Sequence, residues 1–166
     1  MSAVAALRRE VYNPIDRVER VAATNLWSVD RPTEDEVSMI VESEWSDLHL
    51  SVSWREDMES LQFTCIFADR IPALRREETG RLMLVANSQL FQGHFDLWFN
   101  DGTLLYRDAL LLSGGARFTD QQCQALIANG IEACQRYFPA IQFVVWAGKN
   151  AEDAIESCLF ETMGEA

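Results

Sequence analysis

The sequence predicts an α+β domain with two layers, in which helices cover one face of an antiparallel sheet. Five short segments alternate apolar and polar residues, as strands with one buried face do. The segments around them repeat apolar residues every three or four positions, as helices packed on a core do. The predicted order is α-β-β-β-α-β-β-α-α, with about five strands.

The first helix and three strands account for the amino-terminal half. Asn13-Pro14 predicts a helix start, because asparagine is a common N-cap and proline suits the first helical position. Three alternating segments follow, and residues 27–30 are compatible with a small additional edge strand. The inward positions of the three strands are Val37, Met39 and Val41, then Leu48, Leu50, Val52 and Trp54, then Leu61, Phe63, Cys65 and Phe67.

A second helix leads into a hairpin. Pro72 is expected to begin this helix, which should run to about Gln92 and end with Gly93 as its C′ residue. Its inward positions are Leu74, Leu82, Val85 and Leu90. If Asp101-Gly102 is a two-residue turn, the hairpin register follows. In that register Phe99 faces Leu104, Leu97 faces Tyr106 and Asp96 faces Arg107, and Phe95, Leu97, Phe99, Leu104 and Tyr106 form the core face.

Two helices are predicted after the hairpin. Thr119 and Gln122 form a capping box at the start of the first. Pro139 is expected to begin the second. Its apolar stripe would run without a break through Ile141, Val144, Val145, Gly148, Ala151, Ile155, Cys158 and Leu159. A glycine within this stripe indicates close approach of another element.

Length and charge limit the classes of function. The 166 residues suit one domain. We expect residues 1–12 to be a tail or helix extension, 13–162 the domain and 163–166 a C-terminal tail. The net charge is −12, and residues 30–59 hold ten acids against two arginines. This balance disfavours direct binding to nucleic acid or to an anionic membrane.

The cysteines and the lack of targeting signals favour a cytoplasmic protein. Cys65, Cys123, Cys134 and Cys158 lie among apolar residues without CxxC spacing, as reduced and unmetallated buried cysteines do. The sequence shows no secretory signal and no apolar run long enough to span a bilayer.

The sequence offers no group that we assign to catalysis, to a cofactor or to a metal. His49 and His94 lie on different strands and lack a metal-ligand spacing. Asp96 and Arg107 are a candidate ion pair that would help to set the hairpin register. The segment Ser113-Gly-Gly115 lacks the lysine and further glycines of a phosphate loop. The acids at 34–36 lack the glycine and alternating ligands of a calcium loop.

The back of the first sheet is the candidate surface for binding a partner or for forming the homodimer. It is polar, but its side chains are small and include no lysine, whereas a fully solvated face more often carries long charged side chains. A plain solvent face remains the alternative. The surface is formed by Ile40, Glu42, His49, Ser51, Ser53, Gln62, Thr64 and Ile66.

The chain resembles the YbjN-like family, described as bacterial sensory transduction regulators. The resemblance covers most of residues 13–160. It rests on the segments Val85-Ala-Asn-Ser-Gln-Leu90, Gly93-His-Phe-Asp-Leu97, Asp101-Gly102, Tyr106-Arg107, Phe138-Pro139, Val145-Trp-Ala-Gly148 and Ala154, with Asn13-Pro14 through Leu26 also similar. It implies a fold like that of type III secretion chaperones and a non-enzymatic role through protein contacts.

Two hypotheses of function follow. The first is a protein-interaction module: a homodimeric regulator or chaperone-like adaptor whose protein partner is expected to be basic. The alternative is an enzyme or small-ligand binder that uses a cleft near His94, Asp96 and Arg107. A concave pocket where these groups converge would favour the alternative, and an exposed patch would favour the first.

Overall fold

The computed structural model describes residues 12–164, and the side chains of residues 12–158. The helices are α1 (Ile15–Thr24), α2 (Arg76–Gln89), α3 (Asp120–Val145) and α4 (Ala151–Gly164). The strands are β1 (Ser28–Thr33), β2 (Glu36–Val41), β3 (Leu48–Arg55), β4 (Ser60–Phe67), β5 (His94–Trp98) and β6 (Thr103–Leu111). They form one sheet in the order β1-β2-β3-β4-β6-β5, and each neighbouring pair is antiparallel.

The α+β class is confirmed, and the strand count is corrected to six in the described residues. The additional strand, β1, pairs with β2 from Ser28 to Thr33, so the helix and strand order has four strands before α2. The alternation signal is weak there because β1 is an edge strand. Val29 packs on the core while its neighbours are exposed or half-buried, and Pro32 suits an edge position.

One hydrophobic core lies between the sheet and the helices. α1 packs over β1–β3, α3 over β4 and β6, and α2 beside β5. The inward strand residues from Val37 to Phe67 are buried, apart from the half-buried Trp54. Gly130 brings α3 close to the sheet, since a Cβ there would lie only 2.2 Å from Cε1 of Phe63.

The predicted helix starts at Asn13 and Thr119 have the expected cap contacts. The Asn13 Oδ1 accepts a hydrogen bond from the Ile15 N–H at 2.9 Å, just ahead of α1. At α3 the Gln122 N–H donates to the Thr119 Oγ1 at 3.1 Å. The Thr119 N–H donates back to the Gln122 Oε1 at 2.9 Å. These contacts satisfy N–H groups that the first helical turn leaves without partners.

The predicted helix from Pro139 through Leu159 is wrong. α3 continues through Pro139 to Val145, because the buried residues on both sides of the proline hold the helix against the core despite the lost N–H. The break comes instead at Gly148, whose φ of +67° belongs to the left-handed region. Apolar residues still recur every three or four positions after this break, because α4 folds back and packs its own apolar side onto α2 and α3. The side chain of Leu159 lies outside the described residues.

The second helix also differs from its prediction. A short 3-10 turn, Ala73–Arg75, precedes α2, and Leu74 points into solvent rather than into the core. Gly93 does not close the helix, since the C-cap is Leu90 in an extended conformation. The glycine has another role: with φ +65°, it passes so close to Tyr106 that a Cβ would lie 2.0 Å from the phenolic oxygen.

The terminal predictions fall largely on residues that the structure does not describe, since only Tyr12 of the expected tail 1–12 is included. At the other end α4 extends to Gly164, two residues into the expected tail 163–166. Across the described part of the chain, no helix has the length and apolar character needed to cross a membrane.

Candidate functional site

One face of the sheet is left without a helical cover by the described residues. Strand side chains alternate between faces, so the inward set turns toward the helices and the next residues turn away. We call this second surface the open face. It contains the predicted surface residues Ile40, His49, Ser51, Ser53, Gln62, Thr64 and Ile66. Glu42 lies just beyond the end of β2 and is exposed beside it.

The strand register arranges the open face in two rows that cross all six strands. The polar row consists of Asp30, Ser38, Ser51, Thr64, Arg107 and His94. The mixed row consists of Ser28, Ile40, His49, Ile66, Leu105 and Asp96. The polar row carries the small side chains Ser51 and Thr64 at its centre, so another surface can approach the sheet there.

An apolar centre in the mixed row was not recognised from the sequence. Leu105 is 1% exposed although it points away from the main core. The register places it between Ile66 and Asp96. Ile40, further along the row, is 48% exposed. The signal that could have found Leu105 is its place within an unbroken apolar run in β6, which indicates burial on both faces.

The predicted ion pair is present in a different register. Arg107 Nη1 lies 3.1 Å from Asp96 Oδ2, but the strand partner of Arg107 is His94, and that of Asp96 is Leu105. The Trp98 Nε1 donates to the same carboxylate at 3.3 Å. The turn is therefore longer than Asp101-Gly102, and the predicted pairs are shifted by two residues.

This longer turn corrects the position of Phe99. Trp98 is the last residue of β5, so Phe99 lies in the turn and is exposed instead of joining the core face. Asp101 supports the turn, because its Oδ1 accepts hydrogen bonds from the N–H of Thr103 at 3.0 Å and from its hydroxyl at 2.7 Å. These hydrogen bonds hold the pKa of Asp101 below its usual value.

A shallow cleft of about 300 Å³ opens where β5 begins beside β6. His94 and Arg107 line it together with Gln62, Thr64 and Asp108, whereas Asp96 does not. Tyr106 anchors the segment before β5, since its hydroxyl donates to the Gln92 carbonyl at 3.1 Å. Burial, with the nearby Asp108 carboxylate, raises the pKa of Tyr106 far above its usual value and keeps it a donor.

The two histidines do not converge. His49 belongs to the mixed row on β3, whereas His94 lies in the polar row on β5, with β4 and β6 between them. Among residues 12–164, no three histidine, cysteine or acidic side chains are grouped so as to hold a metal ion. The described geometry thus brings His94 and Arg107 together and leaves His49 apart.

Acidic side chains border the open face at its β1–β3 end. Glu36 lies at the start of β2, and its Oε1 accepts a hydrogen bond from the Ser51 hydroxyl at 3.0 Å. Glu42, Glu44 and Asp47 are exposed at the connection between β2 and β3. Residues 30–59 hold ten acids and two arginines, and this end of the face is therefore strongly negative.

Comparison with known proteins identifies the family. Its model, described as "YbjN: Putative bacterial sensory transduction regulator", matches residues 14–143. The chain belongs to the YbjN family. No curated protein matches the chain.

Two solved structures share the fold. The crystal structure of YbjN from E. coli, "a putative transcription regulator", matches with a TM-score of 0.53 and 8% identity, over 72% of this chain and 84% of that one. The ExsC-ExsE complex matches with a TM-score of 0.54 and 17% identity, over 74% and 90%. The fold is thus that of the type III secretion chaperones. At these identities the likeness is one of fold.

Proposed function

We propose that this YbjN-family protein is a non-enzymatic interaction module, a regulator or chaperone-like adaptor that binds a protein partner on its open face. The observation that carries the proposal is the open face itself: it is six strands wide, with Ser51 and Thr64 at the centre of its polar row and Ile66 next to the buried Leu105 in its mixed row. A sheet face that contacts only water gains no stability from apolar side chains at its centre. The family membership and the chaperone-like fold support a role through protein contacts.

The partner that fits this face is basic. The acids at the β1–β3 end attract a positively charged segment and repel an acidic one. The centre of the face then supplies close apolar and small polar contacts, and the acids form the rim. The ExsC-ExsE structure is a complex of two proteins, which supports protein binding as a use of this fold. The expected cytoplasmic location stays a prediction.

A second candidate function rests on the cleft beside β5. His94 and Arg107 face each other across the β5–β6 register and share a cleft of about 300 Å³, close to the lower limit of small-molecule sites. This arrangement suits a small anionic ligand. Amide chemical-shift changes at these two residues on adding small carboxylates or phosphate would support the candidate, and their absence would exclude those ligands.

The proposed function is tested by a charge placed on the open face. The variant Ile66→Arg should fold, because Ile66 points away from the main core. It should weaken partner binding, since the arginine blocks close approach. Leu26→Arg is the matched control, because Leu26 is exposed and lies outside the open face.

The partner is first identified by photo-crosslinking from Thr64 in native lysate and then purified. Its affinity for the parent chain and both arginine variants is measured at two salt concentrations. We expect a loss of about tenfold or more for Ile66→Arg alone, with the parent affinity falling at high salt. Equal affinities for the parent chain and a folded Ile66→Arg variant would contradict the proposal.

A further inference from the structure

A second cavity, of about 270 Å³, opens on the helical side of the sheet. It lies between α3 and residues 89–92, where the chain leaves α2 for β5. The buried residues Tyr106 and Ala133 also line it, and Tyr106 turns toward the helices, so the cavity is separate from the open face. Sites for drug-sized molecules measure about 300–1,000 Å³, and this smaller cavity therefore suits a ligand of about the size of an amino acid.

The cavity carries one acidic and one basic side chain from α3. Glu132 and Arg136 are both exposed and four residues apart, so they follow the same side of the helix. Neither side chain takes part in an ion pair among residues 12–158. The Arg136 guanidinium lies over the Tyr137 ring instead, 5.6 Å from its centroid. Both charges are therefore available to a ligand.

Side-chain amides in the cavity wall add hydrogen-bonding groups. The Tyr137 hydroxyl donates to the Gln89 Oε1 at 2.9 Å, and the Asn129 Nδ2 donates to the Gln92 Oε1 at 3.0 Å. These contacts hold the amides in place and leave the Nε2 group of each glutamine as a donor and the Asn129 Oδ1 as an acceptor. A wall that is already held loses little freedom when a ligand binds.

Phe91 gives the cavity an apolar side. Its side chain is fully exposed, although it follows the half-buried Leu90, which also lines the cavity. An exposed phenylalanine gains stability when an apolar group covers its ring, and an aromatic group can also stack on it. A ligand for this cavity is therefore expected to carry an aromatic group beside its charges.

Charge selects the class of ligand. The chain carries a net charge of −12, which disfavours a ligand that is only an anion. Arg136 repels a ligand that is only a cation, and the charges of Glu132 and Arg136 cancel. A zwitterion meets an opposite charge at each of its ends, and its net charge of zero is not repelled by the rest of the surface.

We propose that this cavity binds a free α-amino acid with an aromatic side chain. Arg136 and the two glutamine amides bind the carboxylate, since a guanidinium forms paired hydrogen bonds with a carboxylate. Glu132 and the Asn129 Oδ1 accept from the ammonium, and the aromatic group lies against Phe91. Glu132 and Arg136 are about 6 Å apart along the helix axis. The ammonium and carboxylate of an α-amino acid are attached to the same carbon atom, so they fit between two groups at this spacing.

This site goes beyond the proposed partner binding and does not depend on it, because the cavity and the open face lie on opposite sides of the sheet. Ile66→Arg should therefore leave amino-acid binding unchanged. Loss of amino-acid binding alone would identify the cavity, and loss of partner binding alone would identify the open face.

The site is tested by NMR titration of the nitrogen-labelled full chain with L-phenylalanine. We expect a dissociation constant of about 1 mM or lower, with amide shift changes concentrated in residues 89–92 and 129–136. Phenethylamine lacks the carboxylate and phenylpropanoate lacks the ammonium, so each should bind about tenfold more weakly or worse. No binding of L-phenylalanine at about 10 mM would overturn the proposal, as would equal affinity for either analogue or shift changes confined to the cleft of His94 and Arg107.

Charge-removing variants test the roles of the two α3 residues. Arg136→Gln and Glu132→Gln should each weaken L-phenylalanine binding by about tenfold or more. Glu77→Gln and Arg81→Gln are matched controls, because Glu77 and Arg81 are exposed on α2 with the same spacing and do not line the cavity.

Phenethylamine separates a lost contact from a damaged cavity. Arg136→Gln should bind it at least as tightly as the parent chain does, because this ligand has no carboxylate for Arg136 to bind. Equal losses for L-phenylalanine and phenethylamine would overturn the role of Arg136. A variant that is folded by circular dichroism and retains the parent affinity for L-phenylalanine would overturn the site.

Discussion

Asn87 of α2 binds both backbone groups of Phe95 in the edge strand β5. Its Oδ1 accepts from the Phe95 N–H at 2.6 Å, and its Nδ2 donates to the Phe95 carbonyl at 3.0 Å. The amide side chain therefore takes the hydrogen-bonding position that a neighbouring strand would take. It fastens β5 to the helical layer and makes Phe95 unavailable for pairing with another strand.

Replacing Asn87 by aspartate should destabilise the protein by about 1–3 kcal/mol, because a carboxylate accepts from the Phe95 N–H but cannot donate to its carbonyl. Urea denaturation measures the change. Asn129→Asp is the control, since Asn129 makes an exposed hydrogen bond to Gln92 at 3.0 Å. Equal stability losses in the two variants would show that the contact between Asn87 and β5 contributes no more than an exposed side-chain hydrogen bond.

Gly93→Ala should be much more destabilising than Gly114→Ala. Both glycines have a positive φ, of +65° and +70°, so alanine strains the backbone at each by about 1–2 kcal/mol. Only at Gly93 would the new methyl group collide with Tyr106, since nothing lies within 4 Å of a Cβ at Gly114. Thermal unfolding of both variants separates the collision from the shared backbone cost. Similar melting temperatures would refute the collision.

Removal of residues 139–166 should abolish cooperative folding. The deletion takes the buried Ile141 and Val144 of α3, and Ala151 and Ile155 of α4, out of the core. A large buried aliphatic side chain contributes about 1.5–3 kcal/mol, against a typical net stability of about 5–15 kcal/mol. Circular dichroism during heating is the measurement. A truncated chain that melts cooperatively near the parent temperature would show that this segment is dispensable.

Stability should fall at alkaline pH. Burial raises the pKa of the Cys123 thiol to about 12 and also raises the pKa values of Cys134 and Tyr137. The unfolded chain releases these protons nearer the ordinary values, while the native protein keeps them. The stability is thus complete below about pH 8.5 and declines toward pH 12.

Urea unfolding with reductant at about pH 8 and about pH 10.5 tests whether the free energy of unfolding falls as the pH rises. Cys123→Ala should reduce the difference between the two conditions, because it removes one of the titrating groups. An unchanged or higher stability at the alkaline pH would contradict the prediction. In the same series, the denatured parent chain without reductant should titrate four thiols. Two or fewer would show that its cysteines are oxidised.

The hairpin shows why the face of the sheet on which a side chain lies is easier to predict than its partner on the neighbouring strand. The predicted register was wrong by two residues, yet Phe95, Tyr106 and Leu104 still turn toward the helices. A shift of two preserves the facing of every side chain, because the strand period is two. The predicted turn was too short because the pair Asp101-Gly102 is typical of a two-residue turn. In the structure Asp101 Oδ1 accepts a hydrogen bond from the Thr103 N–H, and the turn is longer.

Local pattern determined the class of this protein, the inward residues of β2–β4 and the helix caps, since each depends on neighbours within a few positions. The tertiary structure decided what depends on distant contacts. α3 continues through Pro139 because the core supports it, and Leu105 is buried where the sheet places it between Ile66 of β4 and Asp96 of β5. Leu74 is exposed because the chain forms a 3-10 turn there instead of the first turn of α2. These outcomes depend on contacts between elements that are distant in the sequence, and the local spacing of apolar residues does not predict such contacts.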